Sequence, residues 1–188
     1  MHTVKVIKVT QFAIASVALI MIVAQPIARA ELPAPMHAKV EHYKKKLTTW
    51  AADPVVVKAA KEANAKEGGL EPGMTNSKWD ELADQDVKVT QFQTSAAGKL
   101  LTNLEKDKGI SKLYLRDAKG NLVASSANKP LIFNVSTKPA FINGIKGAWA
   151  AGEIKPDPTT QVKGVNMAVP VLDGGKVIGI LQSSVVAE

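Results

Sequence analysis

The 188-residue chain contains no cysteine. That absence removes disulfide staples, cysteine zinc clusters and thiol nucleophiles together, and with them a lipid anchor. Of the three histidines, His2 lies in an apolar leader, while His37 and His42 stand five apart on different faces of a helix, with no carboxylate pattern to complete a metal site. A phosphate-binding glycine loop is also missing, since Gly68-Gly69 and Gly174-Gly175 read as a helix cap and a hairpin turn. Ser125-Ser126 and Ser183-Ser184 lack the strand-turn-helix glycine context of a nucleophile elbow, and Asp157 and Asp173 sit in turns, where aspartate bonds locally. With no nucleophile, base and metal set, the sequence points to a protein that is not an enzyme and uses no cofactor.

What is present begins with an export signal over residues 1–30. Lys5 and Lys8 form a basic start, Phe12 to Val23 is an apolar run broken only by Ser16, and Ala28-Arg29-Ala30 places small residues where a signal peptidase reads. The run is short for a membrane span, so a mature start at Glu31 and a periplasmic or secreted domain are expected, with an uncleaved N-terminal anchor as the alternative. Lys5, Lys8 and Arg29 leave with the leader, so 24 basic residues become 21 against 17 acidic, a net of +4. The lysines are dispersed apart from Lys44-Lys45-Lys46, which reads as a solvated helix face; nucleic acid is not an expected partner.

The mature chain, 31–188, has the length of one domain, and a core of that size needs no disulfide or metal. Residues 31–109 read as a helical platform. Val40, Tyr43, Leu47 and Trp50 form one buried stripe, and Asp53-Pro54 caps and starts a second helix over Val55 to Lys66, closed at Gly68-Gly69. A short helix follows at Ser77 to Ala83, capped by Asn76 or Ser77 and carrying Trp79. Val89, Phe92, Ala96, Leu100 and Leu104 then recur on one face of a helix that Lys106 to Gly109 closes and that should lie on a sheet.

Residues 110–188 read as sheet and ligand loop. Leu113 to Arg116 alternates, breaks at Asp117-Ala118-Lys119-Gly120 and resumes at Leu122 to Ser125, the pattern of a hairpin. Phe133, Asn134, Ser136, Thr137, Lys138 and Phe141 then mix aromatic surface, hydrogen-bond donors and one cation within nine positions. Ala140 to Ala151 reads as a short helix and a loop, Thr159 to Val162 as the start of a strand, and Val165 to Leu172 and Val177 to Val186 as strands joined at Asp173-Gly174-Gly175-Lys176. Both faces of these last strands are apolar, which predicts a sheet covered on both sides. Pro170 marks an edge or a bulge. The fold class is α+β with a central antiparallel sheet of about five strands.

In this order the motifs resemble the extracytoplasmic PAS-like Cache domains, the single-Cache or PDC sensor type. The carriers are Trp50-Ala51-Ala52-Asp53-Pro54 at the helix entry, Asn64 and Trp79 in the helical section, the Leu113 to Ser126 hairpin, Lys138-Pro139-Ala140-Phe141, and the terminal hairpin from Val169 to Leu181. Lys138-Pro139-Ala140-Phe141 is similar to the Arg-Pro-Tyr-Phe segment of carboxylate-sensing members, with lysine for arginine and Ala140 for tyrosine. Phe133 to Lys138 stands where many stand-alone members carry an acidic and aromatic loop.

The resemblance implies a small-molecule sensing domain whose ligand enters between the Tyr114 strand and the Phe133 to Phe141 loop. It places Lys138 on a small anion such as a carboxylate, with Ser136 and Thr137 as neutral donors, Phe133, Phe141 and Tyr114 as walls, and Arg116 as a second cation if its face points inward. Because the chain ends directly after its last strand, signalling is expected to need a separate membrane-bound sensor kinase, cyclase or chemoreceptor. The alternative reading is a structural or interaction module of the same fold that binds no ligand.

Overall fold

The computed structural model describes residues 32–126, 129–158 and 160–187. The leader expected over 1–30 and the processing site before Glu31 fall outside them. Helix α1, Ala34–Ala51, buries Met36, Val40, Tyr43, Leu47 and Ala51 along one stripe, while Trp50 is half-buried at its margin. Asp53 ends the run: its carboxylate accepts a hydrogen bond from the Val55 amide at 2.8 Å, and Pro54 opens α2, Pro54–Ala65. The glycines after α2 do adopt the left-handed region, but Lys66 turns extended before them, so they shape the following loop rather than cap the helix.

The short helix α3, Asn76–Asp80, is capped by Thr75, whose hydroxyl accepts from the Lys78 amide at 3.2 Å, one or two residues before the expected cap. The long amphipathic helix expected next is two helices, α4, Val87–Thr94, and α5, Ala96–Leu104. Ser95 leaves helical geometry with ψ 162° and caps α5 by accepting from the Gly98 amide at 3.0 Å. This break resets the helical phase. α5 therefore buries Ala97, Gly98 and Leu101, and Ala96 is exposed.

Strands β1, Ile110–Asp117, and β2, Leu122–Ser125, form the expected hairpin. Its turn is fixed by Asp117, whose carboxylate accepts from the amides of Lys119 and Asn121 at 2.8 and 2.9 Å. Helix α6, Pro139–Gly144, is followed by β3, Ala150–Pro156, β4, Lys163–Asp173, and β5, Lys176–Val186. The third strand thus precedes residues 159–162, where the sequence pattern placed its start. Asp157 causes the shift, because its side chain accepts from the Thr160 amide at 2.9 Å and its own amide donates to the Val162 carbonyl, which folds residues 160–162 back into a turn. Gly174 and Gly175, both at positive φ, close the terminal hairpin in two residues.

All five strands pair antiparallel in the order β2-β1-β5-β4-β3. Pro170 is tolerated in β4 because β3 pairs only as far as Ala168, and a bulge follows at Val171/Leu172. One sheet face, carrying Leu113, Leu115, Val165, Met167, Val169, Leu181 and Val185, packs with α1, α2 and α5 into the main core. The helical segment therefore lies on one face, as expected. The opposite face is not apolar throughout: Ala168 and Ile180 pack under α6, but Lys112, Tyr114, Arg116, Asn166, Gln182 and Ser184 share that side by strand alternation.

Candidate ligand pocket

The polar stretch of this face is the floor of a cavity of about 350 Å³. Its cover is the chain from Pro130 to Val135 together with Lys138, Pro139 and Ala140 at the start of α6. Three side chains outside the cavity hold the cover down. Trp79 donates from Nε1 to the Pro130 carbonyl at 2.6 Å, Lys129 donates to the carbonyls of Asp80 and Leu82, and Asn76 exchanges two bonds with the Asn134 backbone. Gly144 lets α6 lie close on the sheet: a Cβ there would meet Ile180 Cγ2 at 2.8 Å.

Arg116 is the dominant group. It is 2% exposed and borders the cavity. Its Nε donates to Gln182 Oε1 at 3.0 Å, and its Nη1 donates to the carbonyls of Ile132 and Phe133 at 3.1 and 2.6 Å. Among the described residues no carboxylate pairs with it. Asp117, its neighbour in sequence, spends its carboxylate on the turn amides and Asn121. Burial pushes the Arg116 pKa down to about 10, partly opposed by Tyr114 and Asp117, which leaves the guanidinium charged at neutral pH. The Tyr114 ring lies 5.4 Å from its Cζ, and burial raises the pKa of that phenol, so it stays protonated.

Lys112 and Asp157 border the same cavity and pair with each other, Nζ lying 2.8 and 2.7 Å from the two carboxylate oxygens. Their side chains are only 17% and 14% exposed. Lys138 stands exposed at the cover. Around the cavity the cations Lys112, Arg116 and Lys138 thus face one acid, Asp157. The lining is thus net positive, and the volume is within the range of small-molecule pockets.

The structure brings Tyr114, Arg116 and Lys138 to one cavity and leaves the other expected residues out of it. Phe133 is fully buried in a separate cluster, its ring 5.3 Å from Trp79 and 6.0 Å from Phe92; only its carbonyl reaches the site, through Arg116. An aromatic ring gains more from that packing than from a polar wall. Phe141 packs with Val135, Ala168 and Ile180 beneath α6. Ser136 and Thr137 are exposed on a turn whose backbone bonds, Ser136 amide to Asn134 Oδ1 at 2.9 Å and Lys138 amide to the Val135 carbonyl at 2.8 Å, carry them outward. The apolar walls are instead Pro130, Leu131, Ile132 and Val135.

The sequence pattern does not mark Gln182, Asn166 or Lys112 as site residues, and it marks Asp157 only as a turn residue. The signal existed for two of them: Asn166 and Gln182 interrupt otherwise apolar strands, and a polar residue facing a covered sheet side needs a partner.

No family model and no curated protein matches the chain. Among solved structures it is similar to the sensor domain of the V. cholerae histidine kinase DctB, at 18% identity and a TM-score of 0.53, over 79% of this chain and 49% of that one. Weaker likenesses are the ligand-binding domain of the Pseudomonas aeruginosa amino acid chemoreceptor PctC in complex with GABA, at 12% identity, TM-score 0.46 and coverage of 82% and 56%, and the sensory domain of a Campylobacter jejuni chemoreceptor with isoleucine bound, at 12%, 0.40, 83% and 64%. The chain has the Cache or PDC-type fold of the DctB sensor domain, and it spans about half the length of that domain. Among the described residues no helix is long and apolar enough to cross a membrane.

Proposed function

We propose that this is an extracytoplasmic sensing domain that binds a small anionic metabolite, such as a carboxylate, in the cavity between the β1–β5–β4 face and the 130–140 cover. One observation carries the reading: a charged guanidinium, 2% exposed, borders the cavity with no carboxylate paired to it among the described residues. A buried cation without a counter-ion is costly, and a ligand carboxylate would supply the missing partner through charge-assisted bonds. The sensing part of the reading is supported by the fold shared with a histidine kinase sensor domain. Occupancy would be reported through a separate membrane-bound kinase, cyclase or chemoreceptor.

A thermal-shift screen of metabolites tests the binding. Small carboxylates should raise the melting temperature of the wild type and not that of Arg116→Gln. A flat response across the panel would favour the module that binds no ligand. The ligand should be recovered chemically unchanged after long incubation; steady product formation would make the domain an enzyme. Intact-mass analysis of exported protein should show Glu31 as the first residue, whereas retention of Met1 in a membrane fraction would mean an anchored form.

A further inference from the structure

Arg116 carries five N–H donors, and the protein engages those on Nε and Nη1. Nε is held by Gln182 Oε1 at 3.0 Å, and Nη1 by the carbonyls of Ile132 and Phe133. Nη2 has no protein acceptor among the described residues, and the side chain borders the cavity. The guanidinium is thus fixed in plane by three acceptors, all of them neutral.

Two of those acceptors are backbone and cannot vary. The third is a choice of side chain. Gln182 is half-buried on β5, borders the same cavity and has its oxygen committed to Nε. With the oxygen so used, its NH2 is left as a donor without a protein acceptor among the described residues. A glutamate in its place would have the same shape and reach, yet it would form a buried ion pair with Arg116 and cancel the charge that a ligand would otherwise meet.

We infer that Gln182 is the positioning residue of the anion site. Its neutral amide orients the Arg116 fork while leaving the positive charge unspent, so that position 182 decides whether the cavity accepts an anion at all. The inference rests on Arg116 being the anion anchor.

The test uses the full chain labelled at arginine Nε, with sodium acetate as the carboxylate probe and sodium chloride as a spherical competitor, read by the Arg116 Nε–H resonance and by melting temperature. In the wild type, acetate should shift the resonance saturably and chloride should compete poorly. Gln182→Glu should melt no lower than wild type and lose the response to acetate. Gln182→Met keeps the length and removes the acceptor; acetate should still shift the resonance, with affinity about tenfold weaker, the order expected for one lost bond to a charged group, and with chloride competing more effectively.

Acetate binding to Gln182→Glu as to wild type would overturn the inference, as would a Gln182→Met protein with unchanged affinity and unchanged selectivity over chloride. A Gln182→Glu protein that fails to fold would overturn it too, because the inference requires the new pair to form without loss of stability. In all these cases Arg116 keeps its role. An Arg116 resonance indifferent to acetate in the wild type removes the anchor itself, and the role of Gln182 falls with it.

Discussion

Arg116 and Lys138 both border the cavity, but water treats them differently. Lys138 is exposed, so its attraction to a bound anion is screened and is worth about 0–1 kcal/mol. Arg116 is 2% exposed, and a bond from a buried charged donor is worth roughly 1.5–3 kcal/mol. By calorimetric titration with a carboxylate found in the screen, Arg116→Gln should weaken binding at least about tenfold, and Lys138→Ala less than about fivefold. Equal losses would mean that burial does not set the strength of the site. At this scale the sequence was half legible. Alternation in β1 with Leu113 and Leu115 facing the core puts Tyr114 and Arg116 on the other side, which can be read without coordinates. The loop residues could not be sorted, because the destination of Phe133 depends on where Trp79 and Phe92 sit, and no local pattern records that.

At the scale of elements, the join between α4 and α5 is tightly constrained by backbone atoms. A Cβ on Gly98 would lie 2.3 Å from the Phe92 carbonyl oxygen and 2.4 Å from that of Gln93, both backbone atoms. Gly98→Ala should therefore destabilise the domain by about 2 kcal/mol or more, against the gain of up to about 1 kcal/mol that alanine brings to an ordinary helix. Urea unfolding reads the difference, and a stabilised variant would refute the steric account. α1 is clamped to the turn before β1 by Asp107, which accepts from the Tyr43 hydroxyl at 2.6 Å and pairs with Lys46. Those bonds hold the Asp107 carboxyl down at about 2, chiefly through Lys46 and then Tyr43. Burial and Asp107 push the Tyr43 phenol up to about 12.

The signs follow from linkage. A carboxyl whose pKa is depressed on folding contributes stability above its unfolded value, near 3.8, and loses it as pH falls towards 2. A phenol whose pKa is raised contributes below 10 and loses it as pH climbs to 12. Unfolding free energy should thus fall between pH 4 and 2 more steeply in wild type than in Asp107→Asn; parallel curves would exclude the clamp. The helix stripes of α1 and α2 were readable because their period is strong. The break at Ser95 and the true start of β3 were not. Each depends on one side chain, Ser95 or Asp157, choosing a local backbone partner over continuation of the pattern.

For the whole molecule, a helical layer, a hairpin and a terminal hairpin were legible as an α+β domain, since periodicity and turn chemistry agree along the chain. The sidedness was not. Apolar residues on both faces of the last strands predict a sheet covered on both sides, which it is, but that the polar residues of three strands meet on one face follows only once the strand order is known. That order has a consequence in time. β5 is made after the other four strands of the sheet and yet lies in its middle, joining the β1–β2 pair to the β3–β4 pair. Until it emerges, the two pairs are separate ribbons, and a two-stranded ribbon alone is marginal in water. A chain stopped at Gly175 should melt without a cooperative transition by circular dichroism; a sharp transition would show that the first four strands suffice. The five-stranded sheet therefore cannot lock before β5 has been made, and up to that point the chain stays in an open form.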